Sequence, residues 1–267
     1  MRSITETSEL RSVQMGVLDC IADVCRRHAI NYSLSSGTLI GALRHKGYIP
    51  WDDDIDLYML RADYERFVEV FNREQREQGS PYELLTPETA GDRYLYTYGK
   101  VTDTRTVMVE DEASEFPIGV YVDIFPLDYA HEDESRRRRQ FRWRDLLNKI
   151  RCCKKLSTCC LRSRLAYLCY RYLPLPLAAV EWLQRRKVFL RRPTSLVCNL
   201  HTTDVVYTSA FPLEAMQTFT TAEFEGKQYQ IMGGYDTYLR RTYKFHYMTL
   251  PPEDQRVHHH FKAWWKE

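Results

Sequence analysis

The sequence predicts an α/β protein of the mixed, α+β kind: a central sheet flanked by helices, with a basic helical insert. Three observations carry this reading. Segments whose apolar residues recur at three- and four-residue steps alternate with short segments of period two. The 267 residues are 44% hydrophobic and 28% charged, the balance of a folded globular chain of one to two domains rather than a disordered or fibrous one. The net charge of +2 hides a division: residues 136–192 hold 18 Lys and Arg against Asp145 and Glu181, a balance of +16, and the remainder stands at −14.

The elements follow in order. Leu10, Val13, Val17, Leu18, Ile21, Val24 and His28 mark one face of a first helix. Residues 30–34 alternate as a strand, Ser35-Ser36-Gly37 breaks it, and 38–44 reads as a short helix. A loop over 45–50 leads to a strand at 55–59. A helix at 62–78 then carries Tyr64, Phe67, Val68 and Phe71 on one side. Strands are expected at 82–86, 96–101, 106–109 and 119–125, the last ended by Pro126, which cannot donate to a ladder.

Residues 136–190 read as helices. One face collects Trp143, Leu146, Leu147, Ile150 and Cys153, another Leu161, Leu165, Leu168, Cys169 and Tyr172, and Pro174 and Pro176 open a third helix. From about Val205 short strands return, with a hairpin at Phe224-Glu225-Gly226-Lys227 and a short helix at 236–243. The expected division is 1–135 for a catalytic core, 136–200 for the insert and 201–267 for the rest of the catalytic region.

Several classes are excluded or disfavoured. The eight cysteines include Cys152-Cys153 and Cys159-Cys160, a spacing unlike the pairs of a zinc site, and they read as small packing residues. The first residues, MRSITETSEL, hold no apolar run, so a cytoplasmic protein is expected. No stretch of 18 apolar residues exists to span a membrane, which leaves peripheral attachment through the basic insert. Nothing points to base readout, so no nucleic-acid partner is expected.

The densest chemical signal is Trp51-Asp52-Asp53-Asp54-Ile55-Asp56-Leu57. Clustered carboxylates repel one another unless a cation or water relieves them. Asp54 and Asp56 stand two apart in a strand pattern and so reach the same face, while Ile55 and Leu57 point into the core. Paired carboxylates of this kind hold a divalent ion such as Mg2+ or Mn2+ in phosphoryl and nucleotidyl transfer. Asp123, between Val122 and Ile124, supplies a third; Asp128, after Pro126, reads as a turn residue. Ser36-Gly37-Thr38 joins a strand to a helix, a corner whose N–H groups can cradle a phosphate. Arg44 and Lys100 are candidate phosphate partners or surface charges.

The run from Leu34 to Asp56, with Gly37-Thr38-Leu39-Ile40-Gly41, Arg44-His45-Lys46-Gly47-Tyr48-Ile49-Pro50-Trp51 and Asp52-Asp53-Asp54-Ile55-Asp56, resembles the signature of the LicD family. Tyr98-Gly99-Lys100-Val101 and Val122-Asp123-Ile124-Phe125-Pro126-Leu127-Asp128 resemble its next blocks, and Phe224-Glu225-Gly226 and Tyr247-Met248-Thr249-Leu250-Pro251-Pro252-Glu253 its C-terminal ones. The resemblance covers about residues 10–130 and 205–262 and leaves the basic insert unmatched. Two departures stand out. Ser36 replaces the usual first glycine of the corner, and Tyr243-Lys244-Phe245-His246-Tyr247-Met248 lacks a glycine and an acid. His258-His259-His260 resembles the family's C-terminal histidines, and three adjacent side chains diverge too far for one metal site.

The resemblance implies a nucleotidyltransferase-like fold and transfer of an alcohol phosphate from a CDP-activated donor, CDP-choline foremost. The acceptor would be a cell-surface glycan or its lipid-linked precursor. It implies Asp54, Asp56 and Asp123 as catalytic metal ligands. Gly37 and Thr38 fall in the phosphate corner, and Asp52 and Asp53 are motif members at the substrate. Two rivals remain: a nucleotidyltransferase that makes the CDP-alcohol from CTP, and a non-catalytic membrane-surface or anion-binding module.

Overall fold

The computed structural model describes every residue except 92–93, 110–117, 157–162, 244–245, 254–255, 257–261 and 267. His258 to His260, Cys159 and Cys160 therefore lie outside the described residues. In chain order the elements are β1 (Arg2–Ile4), α1 (Thr7–Arg27), β2 (Ser33–Leu34), α2 (Ser36–His45), β3 (Asp56–Leu60), α3 (Arg61–Glu77), β4 (Tyr82–Leu85), β5 (Gly99–Asp103) and β6 (Thr106–Val109). There follow β7 (Tyr121–Ala130), α4 (Glu134–Lys155), α5 (Arg164–Arg171), α6 (Leu177–Lys187), β8 (Leu196–Asn199), β9 (Phe211–Pro212), β10 (Phe219–Phe224), β11 (Lys227–Met232), α7 (Tyr235–Thr242) and β12 (Lys262–Trp265). This is the expected mixed sheet flanked by helices.

The central sheet runs β2-β3-β7-β5-β4, with β8 and β9 continuing beside β7. β3 and β7 pair in parallel, and the other described pairs of this sheet are antiparallel. Alternation along β3 and β7 puts Leu57, Met59, Val122 and Ile124 on one face, all fully buried. Asp56, Tyr58, Asp123 and Phe125 fall on the other. Helices α1 and α3 pack on the sheet and touch each other, Cys20 Sγ donating to Gln75 Oε1 at 3.2 Å. A separate sheet places β12 between β1 and β6. The hairpin of β10 and β11 turns at Glu225 and Gly226, with φ of +50° and +76°, the two left-handed residues a tight hairpin requires.

Pro126 does not end its strand; β7 continues to Ala130. The Asp123 N–H donates to Ile55 O at 2.9 Å, so alternation sends the donor position of residue 126 to the opposite edge. There β5 stops pairing at Ile124 and β8 begins at Leu127. The missing N–H falls in that seam, where no ladder bond is lost. Asp128 is accordingly a buried strand residue, not a turn residue. Arg61 grips its carboxylate through two nitrogens at 2.8 and 2.6 Å, and His201 Nε2 lies 2.9 Å from Oδ2.

The three insert helices form as expected. Asp133 caps α4, accepting from Arg136 N at 2.8 Å. Phe141, Leu147, Ile150 and Val180 pack with Ala130, Cys198 and Leu200 of the β7–β8 region. The expected inward faces hold only in part: Leu146 is exposed on α4, and on α5 Tyr167 is buried while Leu165, Leu168 and Tyr172 face solvent. Many insert cations are structural. Arg144 donates to Val205 O at 2.7 Å, Arg151 to Tyr96 O at 2.8 Å and Lys154 to Leu173 O at 2.9 Å.

Candidate active site

Three adjacent strands bring Asp56, Asp123 and Lys100 into one row. Asp56 is the register partner of Asp123 across β3 and β7, and Asp123 is the partner of Lys100 across β7 and β5. Register partners share a face, so all three side chains emerge together. Lys100 is 1% exposed, its Nζ lying 2.8 Å from Asp123 Oδ1. The ammonium also lies 3.5 Å from the ring centroid of Tyr121 and 4.4 Å from that of Tyr96. Lys100 is thus not a surface charge, and its ammonium is held by Asp123 and the tyrosine rings.

Asp54 is not on a strand, since β3 begins at Asp56. The cause is α1, whose side chains take the carbonyls of the acidic loop. Arg11 Nη2 donates to Asp52 O at 2.7 Å and Ile49 O at 3.2 Å, and Gln14 Nε2 donates to Asp53 O at 2.7 Å. Tyr48 braces Gln14, its hydroxyl 2.9 Å from Oε1, and Arg11 lies 4.5 Å over the Tyr48 ring. These clamps were not legible in the sequence, because Arg11 and Gln14 sit on a helix whose period explains only its apolar face.

The corner at residues 36–38 meets the acids directly. A Cβ on Gly37 would overlap Asp52 Oδ2, so glycine is what lets that carboxyl approach the start of α2. Thr38 Oγ1 accepts from Asp56 N at 2.9 Å and pins the beginning of β3. Ser35 N donates to Asp56 O at 2.9 Å. Ser36, the departure from the family glycine, has φ of +49° and donates its N–H to the Tyr238 hydroxyl at 3.2 Å. Arg44 faces elsewhere: its Nη1 donates to Tyr247 O at 2.9 Å and Thr249 O at 3.1 Å, tying down the C-terminal segment. Trp51 lies beneath Arg256 at 4.8 Å.

The acids strain one another electrostatically. Burial first, then the charge and hydrogen bond of Asp54, push Asp52 up to about 8. Asp56 is pushed well above the usual carboxylate range by burial and by the charges of Asp54, Asp123 and Asp52, against the opposing pull of Lys100. Tyr243, partly buried, is pushed well above the phenol range by desolvation and by Tyr238, Asp56 and Asp52. Such a set of carboxylate oxygens is the donor chemistry of a hard divalent cation, although among the described residues no three His, Cys, Asp or Glu side chains close into a ligand cage.

The chain is similar to known proteins over the stretch that carries these residues. The LicD family model, described as "LicD/FKTN/FKRP, nucleotidyltransferase domain", matches residues 29–153, which include the whole acidic row. The lipopolysaccharide cholinephosphotransferase LicD of Haemophilus influenzae is 32% identical over 261 residues, covering 94% of this chain and 95% of that protein. Such coverage reaches into the basic insert, so the expectation that the insert stands unmatched is corrected. An uncharacterized protein of Rickettsia typhi is 40% identical over 48 residues, 18% of this chain and 16% of its own. Alike along nearly its whole length to a phosphotransferase, and matched by the family model over its acidic strands, the chain belongs to the LicD family and is a transferase of phosphate-containing groups.

Proposed function

We propose that this enzyme moves phosphocholine from CDP-choline to a sugar hydroxyl of a lipopolysaccharide-type glycan or its lipid-linked precursor. The observation that supports the reading most is the row Asp56–Asp123–Lys100 beside the Asp52-Asp53-Asp54 loop, in a chain that resembles a cholinephosphotransferase end to end. The acceptor oxygen attacks the phosphorus next to choline, the pyrophosphate P–O bond breaks, and CMP leaves with the bridging oxygen. Asp123 accepts the hydroxyl proton in this reading. Lys100 fixes the Asp123 carboxylate and the tyrosines around it.

Asp54, Asp56 and Asp123 would hold the divalent cation, Mg2+ or Mn2+, with Asp52 and Asp53 shaping its approach. When bound, that cation neutralises charge on the donor phosphates. Gly37 and Thr38, at the start of α2, offer the corner to the donor phosphate. Residues 1–135 and 201–267 make up the catalytic region in this scheme, and 136–200 lies against it.

The test is a panel of CDP-alcohols incubated with acceptor glycan and Mg2+ or Mn2+. Cation-dependent CMP release with CDP-choline, matched by phosphocholine on the glycan, is expected. Pyrophosphate release from CTP and phosphocholine would instead establish the nucleotidyltransferase. Asp54→Asn and Asp56→Asn should each lower turnover by about a thousandfold or more, the scale of losing a transition-state charge contact. Near-normal turnover in both would remove the acids from the reaction.

A further inference from the structure

Helix α5 turns its apolar side to solvent. Leu165, Leu168 and Tyr172 lie three and four residues apart and are 73%, 38% and 75% exposed, and Leu173 follows at 38%. The rotation of the helix is fixed from within. Tyr167 is buried, its hydroxyl donating to Leu156 O at 3.1 Å, and Arg171 Nη1 donates to Cys153 O at 3.2 Å and to the Tyr167 hydroxyl at 3.0 Å. On α6, Val180 and Gln184 point inward while Trp182 is 55% exposed, with Arg186 5.3 Å over its ring. Both helices pack on α4, which adds exposed Leu146. Six of the ten exposed large hydrophobics among the described residues thus fall between 146 and 182. They stand on, or just past the end of, three helices of one bundle, two of which pack on the third.

The exposed charge of the same bundle bears on which occupant would suit it. Arg164, Arg185, Arg186, Lys187, Arg191 and Arg192 are all exposed, and Glu181 is the exposed acid on α6. A second copy would set one strongly positive bundle against another. A soluble polyanion would satisfy the cations and leave the Leu, Tyr and Trp side chains in water. An anionic bilayer serves both, taking apolar side chains into its acyl boundary, Trp and Tyr at the headgroup level and Arg beside its phosphates.

We propose that helices α5 and α6 dock this protein on an anionic membrane surface, with Leu165, Leu168, Tyr172 and Trp182 entering the interface and the exposed arginines of the same helices pairing with lipid phosphates. This goes beyond the phosphotransfer reading and does not depend on it.

The test is flotation of the full chain with vesicles of phosphatidylcholine containing phosphatidylglycerol, against phosphatidylcholine alone. The protein should rise with the anionic vesicles at low salt, rise less at high salt, and stay down with the neutral ones. Its tryptophan emission should shift to the blue on binding, and Trp182→Phe should remove most of that shift. The pairs Leu165→Ser/Tyr172→Ser and Arg185→Glu/Arg186→Glu should each weaken binding by about tenfold or more. Both pairs alter exposed side chains, and unchanged melting curves confirm intact folding. Three results would overturn the proposal: no flotation with anionic vesicles; loss on charge reversal alone, with the apolar pair and the emission unaffected, which marks a soluble-anion site; or concentration-dependent dimerisation abolished by the apolar pair.

Discussion

Ser36 occupies a conformation that suits glycine. Its φ of +49° costs an L-residue about 1–2 kcal/mol, and the Tyr238 hydroxyl holds it there by accepting its N–H. Ser36→Gly should therefore raise stability by about 0.5–1 kcal/mol, less than the full strain because glycine gains freedom in the unfolded chain. Chemical denaturation measures it, and a loss would show that the serine hydroxyl makes a compensating contact. The departure at this position was legible in the sequence, but its sign was not, because φ is set by the closure of α2 onto β3.

At Asp52 the sign follows from protonation. Its folded pKa of about 8 lies above the ordinary carboxylate value of 3.8, so the folded state holds a proton that the unfolded state has released between those limits. Stability from this group is present at low pH and is lost as pH rises toward 8. Asp52→Asn should stabilise the cation-free protein near pH 8, by about 1–3 kcal/mol, and do little near pH 4. Melting curves across that range decide it. Asp123→Asn is a poorer probe, because it leaves the Lys100 ammonium buried without its carboxylate, at a cost of about 3–5 kcal/mol.

Among the elements, β7 shows what local pattern misses. Its first half reads as a strand from Val120, Val122 and Ile124, but Pro126 reads as a stop until the seam between β5 and β8 is known. Beyond that seam lies the Arg61–Asp128–His201 cluster. Burial alone would raise Asp128, yet the bonds and charges of His201 and Arg61 hold it below the usual carboxylate range. Burial lowers His201 despite Asp128. Both folded pKa values are depressed, so at acid pH the unfolded chain takes up more protons and stability falls as pH falls. The decline should begin near the ordinary histidine value of 6.5. His201→Gln should flatten that part of the profile, and an unchanged slope would assign it to other groups.

Across the whole molecule, the α+β layout, the three insert helices and the run of candidate acids were legible because each rests on local periodicity or on one short run of residues, whereas the loop position of Asp54 was not. The destinations of the charges were not. The +16 of the insert divides into exposed cations and buried ones that hold main-chain carbonyls, and no sequence pattern separates Arg185 from Arg151. Arg151 donates from α4 to Tyr96 O at 2.8 Å, and Tyr96 in turn lies against Lys100. The insert thereby braces the wall of the site. Arg151→Ala should cost about 2 kcal/mol and reduce turnover, read by melting and by kcat. Full activity with lowered stability would confine it to the fold.

The parallel pairing of β3 with β7 also governs how the site comes into being. Parallel neighbours cannot be joined by a tight turn, and here α3, β4, β5 and β6 intervene between them. The contact between Asp56 and Asp123 is therefore of high sequence separation, the kind that forms late in folding. A nascent or partly refolded chain carries both acids without the row they make. If the row is the proposed active site, activity should return only with the slowest step of refolding, after helical signal has largely recovered.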